Sequence, residues 1–110
     1  MVLNKTEYLE ELLEALLKKG IRGCTVLEST GMMRVLNQNS DDLPMFGTLR
    51  QLFDPERKSS KTLLMVLSEA EVAIVRQVVA QVTGGLNQPD TGIMFAMPTL
   101  FVEGMGADKQ

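Results

Sequence analysis

The 110 residues contain no histidine, a single cysteine, Cys24, and a single tyrosine, Tyr8. That removes the usual general base and the commonest transition-metal ligand. It also removes any disulfide framework or cysteine-rich zinc site, and Cys24 reads as a small apolar filler in a strand. The carboxylates show no recognisable cation-loop spacing, so no metal site is expected. No base–nucleophile pair or cofactor fingerprint occurs, so no catalytic residue is expected and the chain is not read as an enzyme. What can still do chemistry is the glycine-rich stretch Thr83-Gly84-Gly85 to Thr91-Gly92. Backbone N–H groups in such a loop can bind an anion. The plainer reading of these glycines is helix stop and turn former.

The elements around that stretch follow from periodicity. Asn4 or Thr6 is expected to cap a first helix, Asn4 and Glu7 having capping-box spacing. Leu9, Leu12, Leu13, Leu16 and Leu17 form its apolar stripe. Lys18, Lys19 and Gly20 end it, with cations on the last carbonyls and then a residue that tolerates a left-handed backbone. Cys24 to Ser29 alternates as a strand. Residues 32–60 lack sustained periodicity and read as a long loop. Lys61 to Leu67 is a strand. Ser68, with Glu71 in capping-box position, starts a second helix whose buried stripe is Val72, Val75, Val79 and Val82, broadened by Val78. Gly84 and Gly85 stop it. Ile93 to Met97 is the last strand, broken by Pro98. Met1 to Leu3 is a stub of strand. Either the chain's true start lies upstream or the strand is unusually short, with a frayed neighbour.

The order strand-helix-strand, long loop, strand-helix-strand predicts an α+β fold. It is a ferredoxin-like βαββαβ sandwich, an antiparallel sheet with two helices on one face. Residues 1–104 make one domain and 105–110 a frayed tail. Strands 63–67 and 93–97 are apolar on both faces, while two helices cover only one. The uncovered face predicts self-association.

Asp and Glu number 14 against 11 Lys and Arg, so a nucleic-acid footprint is not expected. No apolar run is long enough to span a membrane, and the acidic, polar N-terminus is unlike a signal peptide. A cytoplasmic protein is expected. Within the long loop, Phe46, Leu49, Leu52 and Phe53 carry too much apolar area to sit fully in water. Residues 43–53 are therefore expected to pack on the body of the protein or a neighbouring subunit, while 37–42 stay mobile. Arg50, Arg57, Lys58 and Lys61 read as a solvated face broken by Asp54 and Glu56 rather than as a basic patch.

The stretch LLEALLKKGIRGCTVLESTGMMR resembles the start of the P-II nitrogen regulatory proteins, in which a helix, a glycine turn and a G-x-T-V strand lead into a long loop. TGGLNQPDTGIMF resembles that family's second glycine loop and following strand. The resemblance implies a ferredoxin-like homotrimer with its sheets facing the centre. It implies a non-catalytic signalling protein that senses a small ligand in the cleft between subunits. The long loop, with Phe46, Leu49, Arg50, Leu52 and Phe53, would act on a partner protein. ATP or ADP is the ligand implied, and Gly31, Arg34, Thr83, Gly84 and Gly85 are the matching positions. Other positions depart from the family. Val35 stands where a glutamine is expected, and Thr91-Gly92 where glycine-lysine is expected. Val102-Glu103-Gly104-Met105 offers no arginine. With those cations missing, the expectation is weak or absent ATP binding. The long loop lacks the tyrosine that many relatives carry, since Tyr8 lies on the first helix. The alternative is a CutA-like ion-handling trimer, which shares the sandwich but is disfavoured by the absence of histidine.

Overall fold

The computed structural model describes residues 1–39 and 59–105. They form β1 (Val2–Leu3), a 3-10 turn (Thr6–Tyr8), α1 (Leu9–Lys18), β2 (Thr25–Ser29), α2 (Met32–Asn39), β3 (Ser60–Leu64), α3 (Glu69–Thr83) and β4 (Gly92–Ile93). The strands make a four-stranded sheet of order β2-β3-β1-β4, every neighbouring pair antiparallel. The chain is thus mixed α and β, as expected.

Register sorts the strand residues onto two faces, because residues directly opposite in a ladder point the same way. Leu3 lies opposite Lys61, and Val26 opposite Leu63. Leu3 and Leu63 therefore share a face, and both are buried against Leu12 and Leu16 of α1 and Val75, Val78 and Val79 of α3. Burying each such side chain contributes on the order of 2 kcal/mol. The stripes expected from spacing hold at Leu12, Leu16, Val75, Val78 and Val79, with Val82 packed against them, while Val72 is half-buried and outside the core. Leu17 is 58 % exposed, because it sits in the last turn of α1 on the side away from Leu12 and Leu16.

The helix ends differ in quality. Ser68 accepts from the Glu71 N–H at 3.2 Å, and the Glu71 carboxylate accepts from the Ser68 N–H at 2.9 Å. That is the expected capping box, and Gly84 closes α3 in a left-handed conformation. In α1 the expected cap at Asn4 or Thr6 is displaced. Thr6–Tyr8 form a 3-10 turn, and Tyr8 precedes α1 with no side-chain cap hydrogen bond.

Three boundaries are corrected. The stretch read as a loop from residue 32 begins with α2, whose first hydrogen bond runs from the Val35 N–H to the Gly31 carbonyl at 3.1 Å. Met32, Val35 and Leu36 do have helical spacing, but the polar run after them hid it. The strand read as 61–67 is Ser60–Leu64, and the strand read as 93–97 is Gly92–Ile93, with none over 99–102. Each strand ends with the neighbour it pairs with: β3 matches the five residues of β2 one for one, and β4 the two of β1. β1, one of the two interior strands, has only two residues, and Val2 lies opposite both Thr62 and Ile93. An antiparallel neighbour running past Met94 meets no further residue of β1 to pair with. The pairing extends by one residue at each end. Met1 exchanges hydrogen bonds with Leu63, its ammonium to the Leu63 carbonyl at 2.9 Å and its carbonyl with the Leu63 N–H at 2.7 Å. The Asn4 N–H donates to the Thr91 carbonyl at 2.9 Å. β1 and its neighbour β4 thus each have only two residues.

Candidate functional site

The site is the end of the sheet where β1 and β2 finish and β3 and β4 begin. Sheet order puts β2 and β4 on opposite edges. α2 leaves β2 through Thr30 and Gly31, and Arg34 in its first turn reaches the loop that opens β4. The Arg34 Nη2 donates to both oxygens of Asp90, at 2.9 and 2.7 Å. The two side chains are 7 % and 10 % exposed. A charge-assisted pair so shielded from water joins the two edges across the end of the sheet.

The loop before β4 is built around that contact. Asp90 adopts φ +55°, a left-handed conformation that aspartate tolerates better than most residues. The Thr91 carbonyl accepts from the Asn4 and Lys5 N–H groups at 2.9 and 3.3 Å. Thr91 is 1 % exposed, and its hydroxyl has no partner among the described residues.

The turn at Thr83-Gly84-Gly85 is largely committed to ending α3. The buried Thr83 hydroxyl donates to the Val79 carbonyl at 2.7 Å and accepts from the Gly85 N–H at 3.2 Å. The Gly84 N–H donates to the Ala80 carbonyl at 3.0 Å. Two of the amides expected to cradle an anion are thus used within the helix stop. Gly31 is exposed and supplies the first acceptor of α2. The structure brings the Arg34 segment together with the glycine-rich loop, and Asp90 makes the join. Asp90 was not among the candidate residues, because nothing in residue spacing announces a contact across two sheet edges.

A second cluster was not foreseen. Ser29 lies opposite Ser60 in the sheet. Thr62 Oγ1 donates to Ser29 Oγ at 2.7 Å, Ser29 and Ser60 hydroxyls lie 2.9 Å apart, and Ser60 Oγ donates to the Ser29 carbonyl at 3.3 Å. These hydroxyls sit on the face away from α1 and α3. Beside them on that face, Leu27, Leu64 and Ile93 are 45 %, 54 % and 59 % exposed. Phe95, Met97, Leu100 and Phe101 continue the exposed apolar surface beyond β4. On the helix-side face the exposed rim carries the Lys61–Glu28 ion pair.

Cys24 is half-buried, and burial pushes its thiol pKa up, the Met1 ammonium opposing. Burial likewise lowers the Met1 amino group, with Cys24 opposing. No three His, Cys, Asp or Glu come together in a metal-binding arrangement among the described residues. No helix among them is long and apolar enough to cross a membrane. Phe46, Leu49, Arg50, Leu52 and Phe53, and the expectations for 40–58 and for the tail beyond residue 105, lie outside the described residues. No protein-family model, no curated protein and no solved structure matches the chain.

Proposed function

We propose that the chain is a non-catalytic regulatory protein of the P-II type, working as a homotrimer in the cytoplasm. The observation that carries this reading is the sheet face opposite α1 and α3. Leu27, Leu64 and Ile93 lie bare on it in the single chain, continued by Phe95 and Met97. An exposed face that carries these apolar side chains fits burial against further copies. The strand order β2-β3-β1-β4, with α1 and α3 packed together, supports a ferredoxin-like sandwich within each subunit.

In this reading a small ligand occupies the cleft between subunits, near Gly31, Arg34 and the Thr83–Gly85 turn. Phe46, Leu49, Arg50, Leu52 and Phe53 engage a partner protein. Arg34 is already paired with Asp90, and the Gly84 and Gly85 amides are used in the helix stop, which supports weak nucleotide binding. The test is a pull-down from native lysate with the wild type and with a variant carrying Ala at those five loop positions. The expected result is a protein retained by the wild type and lost by the variant. Retention of the same proteins by both would reject the loop as the output.

A further inference from the structure

We propose that the sheet continues from one copy of the chain into the next, the segment after β4 lying antiparallel along the outer edge of the neighbour's β2. Such pairing rests on the self-association proposed above and assigns it to two named edges. Which backbone groups face outward follows from the ladders. Met1 and Leu63 exchange both hydrogen bonds, so Leu63 turns its N–H and carbonyl toward β1. Leu64 and Thr62 then bond to β2, at Thr25 and Leu27. Val26 and Glu28 therefore point the other way, off the edge of the sheet. At the opposite edge Thr91 bonds to Asn4 and Ile93 lies opposite Val2, so Gly92 and Met94 point outward. Residues 94–99 continue without turn or bend, which carries the alternation on to Ala96. The outward backbone groups of Val26, Glu28, Met94 and Ala96 have no partner among the described residues.

The two edges match. Residues directly opposite in an antiparallel ladder put their side chains on one face. Val26 lies opposite Leu63 on the helix side, and Met94 packs against the core on that side. Pairing these outward residues keeps every helix on one side of the continued sheet. It places the exposed Phe95 and Met97 on the same open face as the neighbour's Leu27 and Leu64. β4 runs opposite to β2 within one chain, so a copy rotated about an axis along the strands meets it antiparallel. A contact between two different edges is head-to-tail, the kind that closes into a ring. It also covers two edges that would otherwise stand open to any other chain.

The experiment places proline at outward positions, where an edge strand tolerates it but loses the N–H. Glu28→Pro and Ala96→Pro are followed by sedimentation equilibrium, alone and mixed in equal amounts, with Glu28→Ala and Ala96→Ser as controls. The expected result is single chains for each proline variant at a concentration where the wild type and both controls are trimers. The mixture should form pairs there, because Ala96→Pro keeps an intact β2 edge and Glu28→Pro an intact segment after β4. Amide exchange followed by NMR gives a second readout that needs only Ala96→Pro, and it decides if Glu28→Pro does not fold. The Val26 and Glu28 amides should exchange slowly in the wild type and fast in Ala96→Pro. Those of Thr25 and Leu27, bonded to β3, should stay slow in both. A wild-type oligomer indifferent to both prolines, a mixture without pairs, or Val26 and Glu28 amides as fast in the wild type as in Ala96→Pro overturns the proposal and leaves an oligomer joined through its faces alone. A wild type of single chains overturns the self-association as well.

Discussion

The backbone of Gly92 lies so close to the carbonyl oxygen of Val2 that a β-carbon at position 92 would overlap it. The two residues belong to β4 and β1, which pair over two residues only. So short a ladder cannot give way locally without losing most of itself. Gly92→Ala is expected to lower stability by about 1–3 kcal/mol, the usual penalty of overpacking. Urea unfolding should show a lower midpoint with an unchanged slope. An unchanged midpoint would mean that β4 shifts freely and is not held by β1.

Ser68 and Glu71 satisfy each other's backbone N–H groups at the start of α3. Both hydrogen bonds are exposed, so their loss leaves no buried charge. Ser68→Ala should cost about 1 kcal/mol, whereas Ser68→Gly should cost only a few tenths. Equal losses for the two substitutions in chemical denaturation would show that the cap is not what Ser68 contributes.

Removing one partner of a shielded ion pair leaves the other charge buried. With side chains 7 % and 10 % exposed, Arg34→Met should cost about 3–5 kcal/mol. Arg34→Met/Asp90→Asn removes both charges, keeps a residue that tolerates the left-handed backbone at 90, and should recover a substantial part of that loss. A double variant as unstable as the sum of the two single ones would show that the residues are not energetically coupled.

Burial raises the Cys24 thiol pKa, and the Met1 ammonium opposes this only in part. The thiolate is the nucleophile, so less of it is present at a given pH. The sign for stability follows. A thiol with a raised pKa in the folded state contributes nothing to the pH dependence below its ordinary value near 9.0, and stability falls as pH rises beyond it. At pH 8, Cys24 should react with a disulfide reagent more slowly than a free cysteine peptide and reach the peptide's rate on unfolding. A native rate equal to the peptide's would contradict the buried, protonated thiol.

Local patterns carried much of the fold. The leucine stripe of α1, the valine stripe of α3 and the Ser68–Glu71 box follow from spacing alone, since a helix repeats every few residues whatever surrounds it. Strand ends did not follow, because the lengths of β3 and β4 depend on how much of β2 and of β1 is there to pair with. α2 was missed because a helix of eight residues offers barely two turns of pattern. At the site, Arg34 and the Thr83–Gly85 turn were singled out by resemblance, while Asp90, which pairs with Arg34, was not. Its contact spans 56 residues of sequence and both edges of the sheet, and no periodicity encodes that distance.

The central claim is that the open sheet face is covered by copies of the same chain. Sedimentation equilibrium at micromolar concentration tests it most directly. The account predicts a mass three times that of the 12.1 kDa chain for the wild type. It predicts a shift toward single chains for Leu64→Glu and Ile93→Glu, which place charge on the face while leaving the buried core of Leu3, Leu12, Leu16 and Leu63 intact. A wild type that sediments as a single chain, or a trimer indifferent to both substitutions, would contradict it.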